Sequence, residues 1–173
     1  HLSTRKHNLP SVLTPIIGRE GELAALTAML IKDPACRLLT LLGPGGSGKT
    51  RLALETARLL EKASLPVFAE GVWFVNLAPL SDSSALLPAI AQSLGIPISG
   101  DLTQRQQQML DYLQSKSLLL LLDNMEHLIN PHSLELVTTL LSGSAGTRVL
   151  VTSRARLNLR AERLFPVEGL LVP

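Results

Sequence analysis

Gly43-Pro44-Gly45-Gly46-Ser47-Gly48-Lys49-Thr50 spells G-x-x-x-x-G-K-T directly after the apolar run Arg37-Leu38-Leu39-Thr40-Leu41-Leu42. Each residue type has a physical task in such a loop. Glycines at 43, 45, 46 and 48 let the backbone turn its N–H groups inward and wrap them around phosphate oxygens. Side chains there would block the approach, and several of the turns need dihedrals that only glycine adopts cheaply. Lys49 brings a point positive charge to the β- and γ-phosphates, and the Thr50 hydroxyl can ligate Mg²⁺. A helix starting near Gly48 aims its positive dipole end at the same anion. The context matches: a buried strand precedes the loop, and Leu52, Thr56, Leu59 and Ala53, Ala57, Leu60 recur at helical spacing after it. The stretch therefore predicts binding of a nucleoside di- or triphosphate.

Leu118-Leu119-Leu120-Leu121-Leu122-Asp123-Asn124 is the second element. Leucine favours helix by propensity, so a buried helix is the alternative for this run. Asp123 at its end, with the phosphate loop upstream, favours a buried strand whose carboxylate sits at the rim of an α/β sheet, where ligands bind. In P-loop nucleoside triphosphatases such an Asp shares Mg²⁺ with the loop hydroxyl, so Thr50 and Asp123 are the expected metal residues. Asn124 stands where many of these ATPases place a Glu that deprotonates the attacking water. An amide can position a water but cannot take its proton at neutral pH. Glu126 is a second candidate for the catalytic group, or an acid near a helix start. Slow hydrolysis follows.

Val149-Leu150-Val151-Thr152-Ser153-Arg154 closes another buried run with a cation. A guanidinium can bind two phosphate oxygens at once, so Arg154 is suited to tell three phosphates from two.

With 173 residues the chain has room for one domain and a sizeable core. Aromatics make up only 3%, so leucine and alanine must fill most of that core, and there are few rings on which nucleic-acid bases could stack. Sixteen basic against fourteen acidic residues leave +2, too little to argue for direct nucleic-acid binding. The arginines at 148, 154, 156, 160 and 163 read as solvated or phosphate-facing. Cys36 stands alone beside an apolar strand, which argues for a small buried thiol and against a disulfide framework. No membrane-length apolar run or secretory pattern is present, so a cytoplasmic protein without membrane contact is expected.

Residues 1–15, ending in Leu13-Thr14-Pro15, read as a linker or extended arm. Leu23, Leu26 and Leu30 mark a helix halted by Asp33-Pro34. Further expected elements are a strand at Gly71–Leu77, a helix capped by Ser84 and running to Leu94, and a helix at Thr103–Gln114 with Met109, Leu110 and Leu113 inward. A strand at Ser117–Asp123, a helix at Leu134–Leu141 closed by Gly143, a strand at Thr147–Ser153 and a short one near Phe165-Pro166-Val167 follow. Strands alternating with helices predict an α/β fold, a parallel sheet covered on both faces.

Five ordered motifs together resemble the nucleotide-binding domain of the STAND class of signal-transduction ATPases, including the NB-ARC proteins. The likeness is greatest to the ATPase module of bacterial LuxR- and AfsR-type transcriptional regulators. The motifs are Ile17-Gly18-Arg19-Glu20, Leu41 to Ala53, Gly71 to Leu80, Leu122-Asp123-Asn124-Met125-Glu126-His127-Leu128 and Val151-Thr152-Ser153-Arg154. The resemblance spans 16–173 as one three-layer P-loop domain and implies the strand order 5-1-4-3-2, with the Arg154 strand between the loop strand and the Asp123 strand. It implies that the segment before Arg19, with Ile17 in it, contacts adenine and that Arg154 senses the γ-phosphate; Arg19 and Gly43 to Arg51 are expected among the nucleotide-binding residues. It also implies a switch that is closed with ADP, and open and oligomeric with ATP. The family's following helical and winged-helix regions, and flanking regulatory and effector domains, would belong to a longer chain. A P-loop small-molecule kinase and an AAA-type ATPase subunit are the competing readings. The first needs an acceptor pocket, and the second wants a Glu at position 124.

Overall fold

The computed structural model describes residues 6–11 and 16–168. The remainder of the expected arm, including Leu13-Thr14-Pro15, and the last five residues lie outside them. The described chain runs α1 (Glu20–Lys32), β1 (Leu38–Leu42), α2 (Lys49–Ala63), β2 (Val72–Asn76), α3 (Leu86–Leu94), α4 (Leu102–Leu113), β3 (Leu118–Asp123), α5 (Pro131–Ser142), β4 (Thr147–Ser153) and β5 (Glu162–Pro166). All sheet pairings between these strands are parallel, in the order β2-β3-β4-β1-β5. Read from the other edge this is 5-1-4-3-2, the order the resemblance implies.

The leucine run becomes β3 because it is central and covered on both faces, so burial overrides the helical preference of leucine. Leu118, Leu120 and Leu122 pack with α3, α4 and α5, while Leu119 and Leu121 face α1 and α2. Fully burying a leucine side chain is worth about 1.5–3 kcal/mol of transfer free energy. With few aromatics, these leucines and their helical partners form both layers of the core.

Several local expectations change in the structure. The cap before α3 is Asp82, whose carboxylate accepts the Ser84 amide at 3.2 Å, because a 3₁₀ turn over Ser83–Ala85 precedes the helix and moves its start upstream. Leu59 is 41% exposed, whereas Leu52, Ala53, Thr56, Ala57 and Leu60 of α2 are buried. The C-terminal arginines divide by position. Arg148 donates to the carbonyls of Asp33 and Cys36, and Arg163 pairs with the Asp33 carboxylate at 2.5 Å. Both therefore clamp the turn between α1 and β1, at the amino ends of the strands. Cys36 is fully buried.

Residues 6–11 run along β2. The Lys6 carbonyl accepts the Val72 amide at 3.0 Å, His7 forms a parallel bridge to Val72, and the Asn8 side chain bonds both the amide and the carbonyl of Phe74. Leu9 is buried in the layer formed by α1 and α2. The arm thus covers a sheet edge that would otherwise present unpaired backbone groups.

Candidate nucleotide site

The phosphate loop leaves the carboxyl end of β1 and enters α2 at Lys49. Gly48 occupies the position before the helix with φ +86°, a conformation that carries little cost only for glycine. At Gly45 a Cβ would fall 2.5 Å from Arg154 Nη2. The guanidinium of Arg154 therefore lies directly against the loop, although Arg154 sits at the end of β4 and is exposed.

Lys49 is 7% exposed, and its ammonium donates to the carbonyls of Gly43 and Pro44, both at 2.8 Å. Burial pulls this ammonium below the ordinary lysine range. The nearby charges of Glu126 and Asp123 oppose that shift and Arg154 reinforces it. The Ser47 hydroxyl is buried in the loop without a hydrogen-bond partner among the described residues.

Asp123 closes β3 and is 3% exposed. Its Oδ1 accepts the Thr50 hydroxyl at 2.8 Å and the Thr152 hydroxyl at 2.7 Å. Thr152 was not singled out from the sequence; the available signal was a hydroxyl inside the apolar β4 run. The Thr152 oxygen also accepts the Asn124 amide at 2.9 Å. Asn124 adopts φ +65°, a left-handed conformation that asparagine tolerates better than most residues, and its side-chain amide donates to Asp123 Oδ2 at 3.3 Å. Glu126 Oε1 accepts the Arg154 backbone amide at 3.0 Å. The Thr152–Asp123, Asn124–Thr152 and Arg154–Glu126 bonds join the ends of β3 and β4 past their last paired residues, Leu122 and Val151.

Gly45, Gly46, Gly48, Lys49, Thr50, Arg51, Asn124 and Arg154 line one open cleft of about 460 Å³, within the size range of ligand sites. A second cleft of about 340 Å³ lies at the amino ends of the strands between the arm and the end of α2, and lacks such convergent cations. Arg19 does not line the first cleft. It is 4% exposed, and its guanidinium bonds Ser47 O, Glu168 O and Glu22. Ile17 is 76% exposed.

A glycine-rich loop with its lysine at the start of α2, a buried Asp bonded to the Thr50 hydroxyl and a parallel sheet in this order define a P-loop nucleotide-binding domain. The chain belongs to the AAA domain family, whose profile matches residues 33–160. It is 31% identical over 136 residues to an HTH-type transcriptional regulator of Mycobacterium bovis, a match covering 79% of this chain and 14% of that protein. It is 30% identical over 175 residues to a disease resistance protein of Solanum bulbocastanum, covering 94% of this chain and 17% of that one. The chain thus spans less than a fifth of the length of either relative. In fold it is similar to a signal transduction ATPase with numerous domains (STAND) from Pyrococcus horikoshii that carries a tetratricopeptide repeat sensor. The TM-score is 0.63 at 16% identity, covering 94% of this chain and 25% of that one. The resemblance to STAND-class and regulator ATPase domains read from the motifs agrees with these relatives. Among the described residues, no helix is long and apolar enough to cross a membrane.

Proposed function

We propose that this chain is the ATP- and ADP-reading switch of a longer cytoplasmic signalling or transcriptional regulator. The observation that carries the reading is the placement of Arg154 against Gly45, on the cleft shared with Lys49 and Thr50. A third phosphate bound in that cleft would offer the guanidinium charge-assisted hydrogen bonds that ADP cannot supply. A ligand shifts a conformational equilibrium only through such a difference in affinity between states.

The phosphate-facing groups divide the work. Loop N–H groups and the Lys49 ammonium bind the phosphates, with Arg51 at the rim of the same cleft. Thr50 and Asp123 would hold Mg²⁺, which takes few protein ligands and keeps several waters, so one carboxylate and one hydroxyl form a fitting donor set. Bound there, the ion would neutralise phosphate charge. Asn124 can orient a water but cannot deprotonate it, which suits a switch that persists in one state rather than a motor. Oligomerisation with ATP and signalling to flanking domains complete the proposal, with no direct nucleic-acid contact by this domain.

The test is turnover by the purified chain, with ATP alone and with a panel of hydroxyl and phosphate acceptors. Enzymes commonly turn over at about 1–1000 per second. The switch reading expects ATP hydrolysis far below that range and no acceptor dependence. Rapid acceptor-dependent consumption would make the chain a kinase, and rapid hydrolysis of ATP alone would make it a motor subunit.

A further inference from the structure

A loop that converges its N–H groups on an anion must turn its carbonyls outward, and each buried carbonyl then needs a donor. Here two cations meet that need. Lys49 holds the carbonyls of Gly43 and Pro44. Arg19 holds the Ser47 carbonyl, with Nη2 donating at 2.7 Å. The same nitrogen donates to Glu168 O at 3.0 Å, and Nη1 pairs with Glu22 in the first turn of α1 at 2.8 Å. Segments 28 and 149 residues from Arg19 in sequence are thus joined through one buried guanidinium.

We propose that Arg19 is a positioning residue for the phosphate loop, fixing Ser47 against α1 and against the chain that leaves β5. This rests on the nucleotide-binding reading of the loop and assigns Arg19 to the phosphate half of the site, whereas the family resemblance places the segment just before it against adenine. Neighbouring geometry supports the tie. The Val167 amide donates to Leu42 O at 2.7 Å, and a Cβ at Gly43 would fall 2.3 Å from Val167 O. The chain leaving β5 therefore runs directly beside the start of the loop. A planar fork holds its acceptors in fixed directions from one rigid group, whereas an ammonium is a point charge on a flexible stem.

Inorganic diphosphate, which has no base or sugar, separates the two roles. Calorimetric titrations with ADP and with inorganic diphosphate are made on the unmodified chain, Arg19→Ala, Arg19→Lys and Lys49→Ala, with melting temperatures alongside. Arg19→Ala should weaken both ligands by about tenfold, as expected for loss of hydrogen bonds from a charged group. Arg19→Lys should weaken both equally but less, and it carries the test if the alanine variant does not fold. A loss confined to ADP would make Arg19 a base or sugar contact and overturn the proposal. A lowered melting temperature with both affinities intact would overturn it too, leaving Arg19 a support of the fold alone. Lys49→Ala without effect on either ligand would instead sink the nucleotide reading itself.

Discussion

Thr50 and Asp123 stand 73 positions apart in the chain, and the Thr50 hydroxyl donates to Asp123 Oδ1 at 2.8 Å. This one bond joins the phosphate loop to the strand that carries the acid. Under the proposed reading these two oxygens would hold a phosphate-bound Mg²⁺, which takes few protein ligands. ATP affinity of the unmodified chain should accordingly rise when Mg²⁺ replaces a chelator. In Asp123→Ala that gain should shrink to less than about twofold, because an alanine offers the ion and its waters no acceptor. Equal Mg²⁺ gains in the two proteins, measured by calorimetry, would remove Asp123 from the metal site.

Lys49→Ala deletes the charge proposed to meet the phosphates. Affinity for ADP and ATP should fall by at least about tenfold, or about 1.4 kcal/mol. Far-ultraviolet circular dichroism should be unchanged, since the ammonium bonds only carbonyls of its own loop. Unchanged affinity would contradict the assignment.

The pH dependence of binding follows from the burial of Lys49. Its ammonium sits below the ordinary lysine range in the free protein, chiefly through burial. Phosphate stabilises the charged form and raises that pKa, so binding takes up a proton as pH approaches the free-state value. Affinity should be level well below that value and decline as pH rises through it, starting short of the ordinary lysine pKa of about 10.4. Lys49→Arg stays charged throughout and should bind with a flat profile over the same range. A decline of equal size in both would place the titrating group elsewhere.

Asn124 links backbone conformation to turnover. Its φ of +65° suits asparagine, whereas a longer side chain there costs roughly 1–2 kcal/mol. Asn124→Glu should lower the melting temperature and speed ATP hydrolysis by supplying a base. Asn124→Gly should keep the melting temperature and gain no rate. A glutamate variant that melts normally and hydrolyses no faster would contradict the geometry at this turn.

Much of this site is legible in the sequence because its parts are local. The loop motif needs only its own glycines and the strand before it, and Asp123 is marked by the five leucines it follows. The partners those residues choose across the fold are not local. Thr152 sends its hydroxyl to Asp123 across neighbouring strands. Arg154 is legible as the cation that ends a buried run, and it meets the loop. The partners of Arg148 and Arg163 are not legible: both clamp the Asp33 turn at the other end of the sheet, a contact between segments far apart in the chain. The Asn8 side chain that pairs with Phe74 shows the same limit: nothing in a polar, proline-punctuated arm specifies which edge it will cover.

The central claim is that Arg154 distinguishes ATP from ADP. The direct measurement is the affinity of a non-hydrolysable ATP analogue and of ADP, with Mg²⁺, for the unmodified chain and for Arg154→Ala. Loss of charge-assisted bonds to the third phosphate should weaken the analogue by about tenfold or more and change ADP by less than about twofold. Equal losses for both nucleotides would make Arg154 a general phosphate ligand, and no loss for either would remove it from the site.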